Sequence, residues 1–169
     1  MVAILGLDRD RVEEVCGTSR GNDVLSIANV LCPGNIVVSG SRAACERVAE
    51  EAMKAGAMKC IPLEVAGAFH TQLMEPARDK LATILEEIDL RVPRIPVISN
   101  VDAKPHSDPA EIRGLLARQV CGVVEWHDSM EFLLSTGVGS LWEVGPGRVL
   151  RGLLKRINRK MPCKGVIER

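Results

Sequence analysis

Acid–base chemistry near neutral pH falls to three histidines in this chain, His70, His106 and His127. His70 follows the apolar stretch Met58–Val65 and the flexible pair Gly67 and Ala68, and it directly precedes a long amphipathic stretch. A side chain at a strand-to-helix junction stands on rigid supports and faces a cleft, which suits a general base. The same position also suits a histidine that only completes the packing. His106 lies in a proline-rich loop and His127 near a helix start, and both are expected at the surface. One nucleophile pattern occurs: Gly17-Thr18-Ser19-Arg20-Gly21 fits G-x-S-x-G. That motif works on a strand-to-helix turn, with the serine exposed above a parallel sheet and a helix amide behind it. Ser19 is expected after a helix and before a strand, the reverse order, so we read the match as accidental. Of the six cysteines, no two have C-x-x-C spacing, and they are read as reduced thiols acting as small hydrophobes.

The elements that hold these residues divide into two kinds. Met1–Leu7 reads as a buried strand and Asp8 as an N-cap, with Val12, Val15 and Cys16 at helical spacing and Gly17 as the helix stop. Val24–Leu31 and Ile36–Val38 flank the turn signal Pro33-Gly34 and predict a hairpin. Ser41 caps a helix through Ala44, Val48 and Ala52, Gly56 stops it, and Met58–Val65 is a further strand. The order β-α-β-β-α-β is the ferredoxin-like pattern, and it predicts a complete small subdomain over residues 1–65.

Residues 66–169 differ. Leu73, Met74, Ala77, Leu81, Ile84, Leu85 and Ile88 step by three and four, which predicts an amphipathic helix. A short strand is expected over Val97–Asn100, and Asp108-Pro109-Ala110-Glu111 combines an N-cap, a first-turn proline and a capping-box acid. A helix over Trp126–Leu134, a strand over Leu141–Val144 and a last helix bearing Leu150, Leu153, Leu154 and Ile157 complete the pattern. Alternation of strands and helices implies a parallel α/β layer. Two strands are too few to bury several amphipathic helices, so this region is expected to be part of a larger domain.

Composition narrows the function classes. Lys and Arg total 22 and Asp and Glu total 22, so no global field argues for nucleic acid or an anionic membrane. No apolar run approaches the roughly 20 residues that span a bilayer, and the amino terminus lacks a basic leader and a cleavage site. A cytoplasmic protein is the expectation.

A family resemblance adds to this reading. Val65-Ala66-Gly67-Ala68-Phe69-His70-Thr71-Gln72-Leu73-Met74, continued by Glu75-Pro76-Ala77, resembles the histidine motif of malonyl-CoA:acyl-carrier-protein transacylases and related acyltransferase domains. Val97-Ile98-Ser99-Asn100-Val101, Arg118-Gln119, Val124-Glu125-Trp126 and Glu143-Val144-Gly145-Pro146-Gly147 resemble further blocks of that family, in order, and Met1–Asp8 resembles the first strand of its small subdomain. The fold implied is α/β: a ferredoxin-like subdomain followed by the carboxyl-terminal part of a larger α/β hydrolase-like acyltransferase domain.

The activity implied is malonyl transfer from coenzyme A to the phosphopantetheine thiol of acyl carrier protein in fatty acid biosynthesis, with no bound cofactor and no metal. The resemblance assigns the general base to His70, the carbonyl that orients it to Gln119, and a malonyl-selecting role to Phe69. Phe69 also reads as an ordinary core aromatic. Departures are that Leu31 stands where relatives have a second asparagine beside the match at Asn29, and that the serine nucleophile, carboxylate-binding arginine and oxyanion glutamine have no counterpart here. The chain is therefore expected to be truncated or mis-started within a longer protein, and inactive alone. Two other readings stand beside it: a non-catalytic module that binds a carrier protein or a complementary chain, and a hydrolase that pairs Ser19 with His70. Arg148, Arg151, Lys155 and Arg159 form a basic side of the last helix, open to carrier docking or simply to solvent.

Overall fold

A computed structural model describes residues 1–166. The first four strands are β1 (Val2–Leu5), β2 (Leu25–Cys32), β3 (Asn35–Gly40) and β4 (Lys59–Pro62), with α1 (Arg9–Arg20) after β1 and α2 (Arg42–Lys54) after β3. They pair antiparallel in the order β4-β1-β3-β2. Alternation along the strands sorts the side chains between two faces. Val2, Ile4, Ile27, Val30 and Val38 join Val12, Val15, Val48 and Ala52 of the helices in the main core. Ala3, Ala28 and Val37 point the other way, where Leu31 and Leu63 pack on them. Asp8 and Ser41 cap α1 and α2 as expected, accepting from the backbone N–H of Arg11 and Ala44.

Gly17 does not stop α1. The helix runs to Arg20, and Gly21, at φ 57°, takes the left-handed conformation that ends it. A glycine inside a helix costs about 1 kcal/mol, which the buried stripe Val12–Val15–Cys16–Ser19 outweighs. Ser19 therefore sits within the last helical turn.

A fifth strand, β7 (Val124–Glu125), joins this sheet at the edge of β2. It runs parallel, with Asn29 opposite Val124 and Val30 opposite Glu125. The Glu125 carboxylate also receives a two-pronged hydrogen bond from Arg9, at 2.9 and 3.0 Å, which ties the start of α1 to β7.

Beyond β4 come a single 3-10 turn (Gln72–Met74), α3 (Glu75–Glu86), β5 (Val97–Ile98), β6 (Pro105–His106) and α4 (Pro109–Gln119). After β7 follow α5 (Trp126–Ser135), β8 (Leu141–Val144), α6 (Val149–Ile157) and β9 (Cys163–Val166). β5 and β6 form a two-stranded antiparallel hairpin, and β8 and β9 a parallel pair. Three of these strands, β6, β7 and β9, carry no periodic signal. Two residues cannot show alternation, and Lys164 and Gly165 interrupt the apolar pattern of β9. α3 and α4 pack together, each with one buried leucine, Leu85 and Leu115, and Arg113 of α4 donates to the carbonyls of Leu85 in α3 and Ile88 just beyond it. Trp142, Val144 and Val149 are each more than half exposed. Among the described residues, no helix is long and apolar enough to cross a membrane.

Candidate active site

β4 ends at Pro62, and a loop carries the chain to Thr71, where the 3-10 turn leads into α3. Thr71, which the sequence reading passed over, is buried and pins this loop. Its hydroxyl donates to the Ala68 carbonyl at 2.7 Å and accepts from the N–H of Leu73 at 3.3 Å. The available signal was a threonine directly before a helix.

His70 sits between these anchors with φ 64°, one of two non-glycine residues with positive φ among the described residues. Its N–H donates to the Val120 carbonyl at 2.9 Å. Its ring nitrogen Nδ1 lies 3.0 Å from the carbonyl oxygen of Gln119 and 2.9 Å from that of Gly122. Carbonyl oxygens only accept, so Nδ1 carries the proton in the neutral ring and Nε2 keeps its lone pair. Among the described residues Nε2 has no hydrogen-bond partner. An imidazole so held can take a proton at Nε2 while the proton on Nδ1 stays shared with the two carbonyls.

The loop that presents these carbonyls is braced from within. The Gln119 side-chain amide donates to Gly122 O at 3.0 Å and Val123 O at 3.2 Å. Gln119 therefore meets His70 through its backbone and closes its own loop through its side chain. Phe69 is 38 % exposed, with its ring centroid 6.4 Å from that of His70, so it is no core aromatic.

The remaining candidates lie elsewhere. Ser19 is buried, and its hydroxyl has no hydrogen-bond partner, so it makes no pair with His70. The serine–histidine hydrolase reading fails on that observation. His106 is not a surface residue: its side chain is 6 % exposed, because β5 and β6 fold the proline-rich loop back as a hairpin beside α4. One ring nitrogen stands 3.1 Å from Asp102 and the other 3.0 Å from Glu111. Hydrogen bonds donated by the ring to Glu111, and then to Asp102, hold His106 above the ordinary histidine range. His127 is half-buried and lies 3.7 Å or more from Asp128 and Glu131.

All six cysteines are free thiols. Burial pushes Cys16 up to about 12, which leaves it without nucleophilic thiolate. On the basic side of α6 and its flanks, Arg151 is partly buried and bound to Glu143 at 2.9 Å, whereas Arg148, Lys155 and Arg159 are exposed. Among the described residues, no cluster of three or more histidine, cysteine or acidic side chains could hold a metal ion.

Comparison with known proteins identifies the context of this geometry. No protein-family model matches the chain. The malonyl CoA-acyl carrier protein transacylase of Salmonella typhimurium is 44% identical over 157 residues, covering 93% of this chain and 51% of the relative. That of Bacillus subtilis is 41% identical over 163 residues, again covering 51% of the relative. The crystal structure of an acyl-carrier-protein S-malonyltransferase from Burkholderia pseudomallei superposes with a TM-score of 0.95 at 38% identity, covering 99% of this chain and 55% of that one. A malonyl-transacylase solved in complex with a type II PKS acyl-carrier protein superposes with a TM-score of 0.92 at 38% identity, covering 99% of this chain and 53% of that one. The chain thus spans about half the length of the curated relatives it matches. In sequence and in fold, it is similar to the malonyl CoA-acyl carrier protein transacylases over about half of their length, and it fits their carboxyl-terminal part.

Proposed function

We propose that this chain supplies the base of a malonyl-transfer site, with His70 acting through Nε2 on a serine that lies outside these residues. The observation that carries the reading is the pair of carbonyls on Nδ1, with Nε2 left unbonded. In the first half-reaction, Nε2 takes the serine proton as the oxygen attacks the malonyl thioester, and returns it to the departing coenzyme A sulfur. In the second, it takes the proton of the phosphopantetheine thiol as that sulfur attacks the acyl-serine, and returns it to the serine. The Gln119 and Gly122 carbonyls hold the tautomer in place of the carboxylate of a triad. Phe69, exposed beside the imidazole, borders the acyl group and favours malonyl over branched acyl chains.

Residues 1–65 form a ferredoxin-like subdomain, and residues 66–169 form the carboxyl-terminal portion of a larger hydrolase-like domain. The exposed faces of Trp142, Val144 and Val149 are covered by the rest of that domain. The setting is cytoplasmic fatty acid biosynthesis, with a coenzyme A thioester as donor and an acyl carrier protein as acceptor. Acting alone, these 169 residues form no malonyl-enzyme and turn over no malonyl-CoA.

The test is to incubate the chain with labelled malonyl-CoA, alone and with the amino-terminal half of the Salmonella typhimurium relative supplied separately. Transfer of label to acyl carrier protein is expected only in the mixture, and it is expected to slow by orders of magnitude with His70→Ala. Label on the isolated chain, or full transfer by the His70→Ala mixture, overturns the reading.

A further inference from the structure

His106 has no part in the chemistry just described, yet its ring is buried against two acidic groups from two different elements. Asp102 lies in the turn of the β5–β6 hairpin, and Glu111 in the first turn of α4. Both acceptors are carboxylates, so a ring that satisfies both must donate from both nitrogens and carry a positive charge. Among the described residues these are the charged groups in contact with it. Arg118, further along α4, acts on Asp102 rather than on the ring, and the Lys104 backbone N–H donates to Asp102 at 3.2 Å.

Packing alone does not lock the hairpin to α4. A half-open cavity of about 200 Å³ lies between them, lined by Ser99, Asn100, His106, Leu115, Leu116 and Gln119 among others. Bridges span it at the His106 end. At the other end the Asn100 carbonyl accepts from the Glu125 N–H at 2.7 Å. Val101 stands beside Gly122, where a Cβ would lie 3.7 Å from its Cγ1. The hairpin therefore backs the loop that offers the Gly122 carbonyl, and α4 ends in the residue that offers the Gln119 carbonyl.

We infer that His106 is a positioning residue for His70: doubly protonated between Asp102 and Glu111, it clips the β5–β6 hairpin to α4 and so fixes the two carbonyls that orient the catalytic ring. The inference deepens the reading of His70 as the base. While the two carboxylates are ionised, the clip is held by the protonated ring and is lost as pH rises through the elevated His106 titration, because a proton bound more tightly in the folded state is the one whose loss loosens it.

The experiment is a pH titration of the full chain carrying ¹⁵N-labelled histidine, followed by long-range proton–nitrogen spectra of all three rings. The His70 nitrogens are expected to show their own transition plus a second inflection at the His106 midpoint. In His106→Gln the second inflection disappears. In Glu111→Gln, a change on the more exposed side of the clip that serves should His106→Gln fail to fold, it moves to lower pH together with His106. A single His70 transition in the unaltered chain, or a second inflection unmoved in Glu111→Gln, overturns the inference. The readout involves no turnover, so its failure is distinct from loss of malonyl transfer in the mixing experiment.

Discussion

The Nδ1 atom of His70 faces the backbone carbonyl of Gln119 at 3.0 Å, across 49 residues of sequence. No side-chain substitution removes that carbonyl, but the Gln119 side chain governs where it stands, through its own bonds to Gly122 O and Val123 O. Four outcomes follow from this site and its surroundings.

On the proposed role of His70, replacing it leaves the serine of the supplied amino-terminal half without a base. In the reconstituted mixture, His70→Ala is expected to lower the rate of malonyl transfer by about 10²–10⁴-fold. Stopped assays with labelled malonyl-CoA and carrier protein measure it. A loss under tenfold would remove His70 from the base role.

Gln119→Ala leaves the Gly122 and Val123 carbonyls without their amide donor. A stability loss of about 1 kcal/mol is expected in urea unfolding, from two partly buried hydrogen bonds. The His70 ring should also populate both tautomers, visible in its nitrogen chemical shifts. Unchanged shifts would mean that the loop keeps its shape without the amide.

Ser19→Ala deletes a buried hydroxyl that has no partner. The expected effect is neutral to stabilising by about 1 kcal/mol, since desolvating an unpaired hydroxyl is unfavourable. Malonyl transfer by the mixture should be unaffected. A large loss of transfer would restore Ser19 to the chemistry.

Acid should release the start of α6 through Glu143. Burial pushes this carboxyl up, but hydrogen bonds from the N–H groups of Leu150 and Arg151 and from the Arg151 guanidinium outweigh it and hold it below the ordinary range. A depressed carboxylate contributes stability above its unfolded value, and that contribution is lost as pH falls through the folded one. Protection of the Leu150 and Arg151 amides, taken relative to their intrinsic exchange rates, is therefore expected to fall on acidification below the usual glutamate range. Glu143→Gln should abolish that dependence. Identical profiles for the two proteins would assign the cap elsewhere.

The first sheet was legible because its signals are local. Asp8 and Ser41 cap the helices they precede, Pro33-Gly34 turns the hairpin, and Val2 and Ile4 alternate with Ala3. His70 was legible as a residue at a strand-to-helix junction. What lay beyond the residue pattern depends on long-range pairing. A two-residue strand such as Val124–Glu125 exists because β2 offers it an edge, and nothing within two residues announces that. His106 was misplaced for the same reason: a proline-rich loop reads as exposed until the pairing of Val97 with His106 folds it under α4. The brace from Thr71 and the second carbonyl on Nδ1, from Gly122, likewise needed three dimensions.

His70 also bears a left-handed backbone, at φ 64°, which an ordinary L-residue adopts at a cost of about 1 kcal/mol. Any substitution there therefore alters two quantities at once, the imidazole and the fit of a side chain to an unfavourable turn. Alanine keeps the strain and loses the ring, whereas asparagine tolerates that turn and makes the cleaner comparison. Glycine would relax the backbone outright, so a folded, unstrained and chemically silent version of this loop lies within reach of position 70 alone.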